Sequence, residues 1–124
     1  MDNELLKKMK YKGGRAAIMN VPEGIQLGLP AVQELEGAYD FVVGFMQNAQ
    51  QVKEQVPRLV SHLGDDAVFW ICYPKKQGKV KPDINRDSLF TLVGEMTDYR
   101  AVSNVAVNEL WSALRFRHKD LVKK

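Results

Sequence analysis

Two hydrophobic rhythms alternate along this chain. DFVVGFM (40–46) and AVFWICY (67–73) are nearly unbroken apolar runs, the pattern of strands covered on both faces, where neither side of the pleat meets water. Between them, QNAQQVKEQVPRLVSHL (47–63) spaces Val52, Val56, Leu59, Val60 and Leu63 as a helical stripe behind an Asn48 cap. Pro57 is expected to kink or divide that helix, because it lacks an amide donor and its ring crowds the carbonyl one turn back. Gly64, Asp65 and Asp66 read as the turn into the second run. A further helix follows a cap at Asn85 or Asp87, with Leu89, Phe90, Leu92, Val93 and Met96 as its apolar positions, and ends near Asp98.

The flanks extend the same alternation. Residues 2–10 place Leu5, Leu6 and Met9 at helical spacing with lysines opposite, and Gly13-Gly14 ends the segment. RAAIMN (15–20) is a short strand, broken by Pro22 and Gly24. YRAVSNVAV (99–107) and SALRFR (112–117) are strands joined by a turn at 108–110, too short for a crossover, so the last strand runs antiparallel to its predecessor. These elements predict an α/β, Rossmann-like fold: a single, mostly parallel sheet with helices and an antiparallel last strand. If strand order advances in one direction from RAAIMN through AVFWICY, right-handed crossovers place the helices on one face. Residues 2–10 are then the main cover of the other face, and a homodimer is expected to bury the remainder.

Composition adds bounds. The 124 residues, 45% hydrophobic and 27% charged, suit one domain spanning 1–124. No run approaches the roughly 18 apolar residues that cross a bilayer, and the charged N-terminus lacks the apolar core of a secretory signal, so the expectation is a cytoplasmic protein with no membrane partner. The lone Cys72 excludes an internal disulfide and reads as a packed thiol. His62, His118 and Cys72 are too dispersed for a metal site, so none is assigned. The net charge of +3 is uneven: Lys7, Lys8, Lys10, Lys12 and Arg15 open the chain, Arg115, Arg117, Lys119, Lys123 and Lys124 close it, and 22–40 carries only acids. Without a recognisable nucleic-acid module or aromatics among those basic residues, nucleic acid is not favoured as a partner.

Ligands of open α/β sheets sit beyond the carboxyl ends of the parallel strands. Here that edge gathers Asn20, Pro22 and Glu23, then Gln47 and Asn48, then Tyr73, Pro74, Lys75 and Lys76, and finally Glu109, Trp111 and Ser112 from the last turn. The basic run KKQGKVK (75–81) would suit a small anion such as a nucleotide, though a solvated loop is the commoner case. Asn48 is more simply a cap, Trp111 a plug at the sheet end, and Ser112 has no histidine beside it to act as base. Arg115 and Arg117 alternate with Leu114 and Phe116, as on a strand with one wet face; if that strand is instead central, they need partners such as Asp83, Asp87 or another subunit. No catalytic residue is assigned.

NVPEG (20–24), LEGAYDFVVGF (35–45), YPKK (73–76), NRDSL (85–89) and WSALRFR (111–117) together resemble a family of small bacterial proteins that keep a trimmed class I methyltransferase-like sheet. The resemblance implies that fold and carries no activity. A working methyltransferase of this fold would also show a glycine-rich turn after its first strand and an acid gripping the ribose of S-adenosylmethionine. This chain has a single glycine two positions after a proline in NVPEG, residues 21–39 read as too short for two further βα units, and Glu34 or Glu36 could imitate the acid only if VQEL (32–35) were a small edge strand. No cofactor is therefore expected. The favoured reading is a non-catalytic binding or interaction module. The alternatives are a nucleotide- or anion-binding protein or minor enzyme using the Lys75, Lys76, Trp111 and Ser112 edge, and, after it, nucleic-acid binding.

Overall fold

The computed structural model describes residues 7–11, 13–22, 25, 29, 31–32, 35–75 and 83–121. Six strands form one sheet: β1 (Ala16–Met19), β2 (Ala31–Val32), β3 (Tyr39–Phe45), β4 (Leu63–Pro74), β5 (Tyr99–Ala106) and β6 (Trp111–His118). Their spatial order is β2-β1-β3-β4-β6-β5; the first four are parallel, and β6 is antiparallel to both of its neighbours. The expected fold class is the observed one. The strands expected from RAAIMN through AVFWICY advance in one direction, β1-β3-β4, and β2 adds a two-residue edge strand paired with β1 on the side away from β3.

Helices α1 (Ala49–Val60) and α2 (Arg86–Met96) form where the sequence stripes place them. The Asn48 side chain accepts from the Gln51 amide at 2.8 Å, and Asn85 forms a reciprocal capping box with Ser88. Val52, Val56 and Leu59 of α1 and Leu89 and Val93 of α2 are buried against the sheet. At Gly44 a side chain would press on Leu59 Cδ1 from 3.0 Å, so a glycine there lets α1 sit close on β3. Pro57 does not divide α1: it is exposed near the C-terminal end, where a missing donor interrupts little of the remaining ladder. Phe90 is 54% exposed rather than packed. It is a step around the helix from Leu89, turned toward the edge strand β5, beyond which no element among the described residues lies to cover it.

The turn expected at Gly64–Asp66 belongs instead to β4, and Leu63 starts that strand rather than ending the helix. Two steps along β3, Tyr39 to Phe41, oppose five along β4, Leu63 to Val68. Residues with turn chemistry thus bulge within a paired strand, anchored where the Tyr39 amide donates to the His62 carbonyl at 2.8 Å.

Both sheet faces are closed. Val42, Phe69, Ile71, Leu114 and Phe116 lie under α1 and α2. Phe41, Val43, Phe45, Trp70, Cys72 and Ala113 point the other way and are covered by Met9, Tyr11, Val21, Ile25 and Leu29. The Trp70 indole donates to the Met9 carbonyl at 2.8 Å, which fixes the N-terminal segment across the strands. The bare apolar face that motivated a homodimer is therefore absent: Phe41, Phe45, Trp70 and Cys72 are each at most 1% exposed within one chain. Met9 belongs to the segment that the sequence assigns to this face, whereas Val21, Ile25 and Leu29 come from a connection without regular periodicity that the hydrophobic pattern did not announce.

Candidate functional site

The carboxyl ends of β1, β3 and β4 define one edge of the sheet, and the β5–β6 turn returns to it. Pro74 pairs with Trp111 and Tyr73 with Ser112, while the Lys75 amide donates to the Leu110 carbonyl at 2.8 Å. Tyr73, Lys75, Trp111 and Ser112 are thus neighbours, as the topology required. Glu23, Lys76 and the rest of the basic loop through residue 82 lie outside the described residues. The side chains at this edge serve the fold. Trp111 is 8% exposed and meets Phe45 edge-to-face at 5.2 Å, so its ring plugs the sheet and offers no open face for stacking. Ser112 is equally buried, and the Tyr73 hydroxyl accepts from Asn104 Nδ2 at 2.9 Å.

The N-terminus of α1, which opens on this edge, is also occupied. Its exposed amides form a ready site for an anion, but the Ala49 amide donates to Asp83 Oδ1 at 2.8 Å and Gln51 to Asn48. The amide of Gln47 donates to the Gln51 side chain at 2.7 Å. The chain thus supplies its own carboxylate where a ligand's would go. From sequence Asp83 was a candidate partner for Arg115 and Arg117; its bond to Ala49 was not legible, because the two lie 34 residues apart and no spacing rule links them. Replacing Asp83 with alanine should cost about 1 kcal/mol, as for lost helix caps, read as a lower urea midpoint at an unchanged slope.

After β1, Asn20 adopts a left-handed conformation with φ +59°, and its Nδ2 donates to Gln55 Oε1 at 2.6 Å. The sharp turn is kept, but an asparagine with its own Cβ and hydrogen bond makes it. Alongside lies a groove of about 450 Å³ whose lining includes Met19, Asn20, Leu35, Gln55, Arg58 and His62. His62 Nδ1 is 2.7 Å from the Gly37 carbonyl oxygen, a contact that places the proton on Nδ1. Glu36, one of the two acids after β2, is exposed; Glu34 lies outside the described residues. Among the described residues no three His, Cys, Asp or Glu side chains group to hold a metal. Cys72 is fully buried, and burial pushes its thiol far above the usual range.

A parallel sheet whose last strand inserts antiparallel beside the penultimate one has close counterparts among solved structures. The chain is similar to the N-methyltransferase NodS from Bradyrhizobium japonicum WM9, with TM-score 0.59, 10% identity and 93% of each chain covered. It is similar to a SAM-dependent methyltransferase from Aquifex aeolicus, with TM-score 0.57 and 11% identity over 93% of this chain and 88% of that one. TehB from Haemophilus influenzae superposes with TM-score 0.56 and 9% identity over 95% of this chain and 62% of its own. The fold is methyltransferase-like. No protein-family model and no curated protein matches the sequence.

At this edge of the methyltransferase-like sheet the described polar groups are engaged within the chain. Asn20 makes the left-handed turn after β1 with its side chain bonded to Gln55, and Asp83 and Asn48 accept from the first amides of the neighbouring helix.

Proposed function

We propose that this chain is a non-catalytic binding or interaction module: one methyltransferase-like domain, of the small bacterial family its motifs resemble, working in the cytoplasm without a cofactor. The observation that carries the reading is the Asp83 carboxylate on the Ala49 amide, a chain group standing in the position an anionic ligand would take. The buried Trp111 and the hydrogen-bonded Tyr73 support it, because a site poised for substrate keeps its polar and aromatic groups available. No helix among the described residues is long and apolar enough to cross a membrane.

Native mass spectrometry of protein purified without denaturation tests this reading. The expected spectrum is the bare 14.1 kDa chain or a multiple of it, with no adduct. A stoichiometric adduct with the mass of S-adenosylmethionine or its demethylated product would overturn it. The same spectrum separates the monomer that a closed sheet face favours from the homodimer expected from sequence.

A further inference from the structure

The end of the sheet opposite the carboxyl edge carries a basic cavity. A cavity of about 620 Å³ opens among Lys10, Asp40, Phe41, Val68, Arg115 and Arg117, at the amino ends of β3 and β4. The basic residues come from the two ends of the sequence, so the fold joins in one cavity the charge that the sequence separates by about a hundred positions. We propose that this cavity binds a small molecule through a phosphate or diphosphate group, with the molecule's apolar part resting on Phe41 and Val68. The site is independent of how the carboxyl edge is read.

Its geometry is held from several sides. Lys10 sits between two anchored neighbours: the Met9 carbonyl accepts from buried Trp70, and the Tyr11 ring meets Phe41 edge-on at 5.0 Å. Lys10 itself has φ +66°, a left-handed conformation that usually selects glycine or asparagine at the end of a helical turn. A lysine there is costly to the backbone, and Lys10 is part of the cavity's lining. Arg115 stands directly opposite Trp70 on the neighbouring strand, so its Cα is fixed by the sheet, and Arg117 follows on the same face. Both arginines are half-buried and interact within the chain. Five N–H donors let a guanidinium serve a neighbour and a phosphate oxygen together. The acid in the lining, Asp40, is turned to its own chain, accepting from the Arg15 amide at 2.9 Å. Positive charge therefore exceeds negative among the described lining residues, and the apolar floor lowers the local dielectric, which strengthens attraction for a multivalent anion.

Calorimetric titration with inorganic diphosphate at low ionic strength tests the proposal. Saturable binding tighter than about 1 mM is expected. Arg117→Gln and Lys10→Gly should each weaken it about tenfold or more, and Lys75→Gln at the opposite edge should leave it unchanged. Lys10→Gly is the informative variant, because glycine suits the left-handed backbone: its melting temperature should hold or rise while binding falls, which a merely structural lysine would not produce. Absence of binding at about 10 mM diphosphate, equal loss in Lys75→Gln, or full retention in both cavity variants would each overturn the proposal. So would tight, steeply salt-dependent binding of a single-stranded oligonucleotide without diphosphate binding, which would assign the charge to nucleic acid.

Discussion

Replacing Trp70 with alanine is expected to remove about 3–5 kcal/mol of stability, a large share of the roughly 5–15 kcal/mol that holds a domain of this kind together. Trp70 is fully buried on β4, between β3 and β6, and its indole is the described hydrogen-bond link between the central strand and the segment covering the second face. Alanine leaves a cavity beneath Met9 and strips the Met9 carbonyl of its donor, so lost packing and an unsatisfied acceptor act together. Trp70→Phe separates them: it keeps most of the apolar bulk and should cost about 1–3 kcal/mol, the penalty of an orphaned buried group. Urea unfolding with tryptophan-independent detection, such as far-ultraviolet circular dichroism, reads both. A loss below about 1 kcal/mol for Trp70→Ala, smaller than any well-packed aromatic truncation, would mean that the N-terminal segment does not close that face.

Stability should also fall with alkaline pH, first through one buried thiol. The folded state holds the Cys72 thiol protonated far above its ordinary range, because burial opposes the thiolate. An unfolded cysteine titrates near pH 8.5. Below that value both states carry the proton and the group contributes no pH dependence. Above it the unfolded chain releases the proton while the folded chain keeps it, so the unfolded state is favoured by about 1.4 kcal/mol per pH unit. Tyr99, shifted upward by partial burial, acts in the same direction beyond pH 10 or so. Denaturation curves from pH 8 to 10.5 or so should show this decline, and Cys72→Ala should flatten it, offset by a roughly constant packing loss. A decline of the same slope in Cys72→Ala would place its origin elsewhere.

Legibility in the sequence followed the physics of each element. β3 and β4 were readable because burial on both faces forces continuous apolar runs, and α1 because a sheet-facing stripe must repeat every turn. The start of β4 was not, since Gly64, Asp65 and Asp66 have the local chemistry of a turn and only pairing with β3 overrides it. The cover of the second face was hidden in Val21, Ile25 and Leu29, single apolar residues in an irregular connection that carry no period to detect. The placement of Tyr73, Lys75, Trp111 and Ser112 at one edge followed from strand direction alone. What they do there did not, because burial of Trp111 against Phe45 and the capture of the Ala49 amide by Asp83 depend on contacts between distant positions. The charge at the two chain ends was plain in the sequence, but only folding shows that Lys10, Arg115 and Arg117 line one cavity.

Isothermal calorimetry with S-adenosylmethionine tests most directly the claim that this methyltransferase-like sheet has its ligand edge filled by its own side chains. The account predicts no saturable heat up to about 1 mM ligand, in the intact chain and in Asp83→Ala alike, since the latter frees one helix amide without removing the Asn20 side chain or exposing Trp111. A dissociation constant of a few micromolar or tighter for the intact chain, about −7 to −8 kcal/mol, would contradict it.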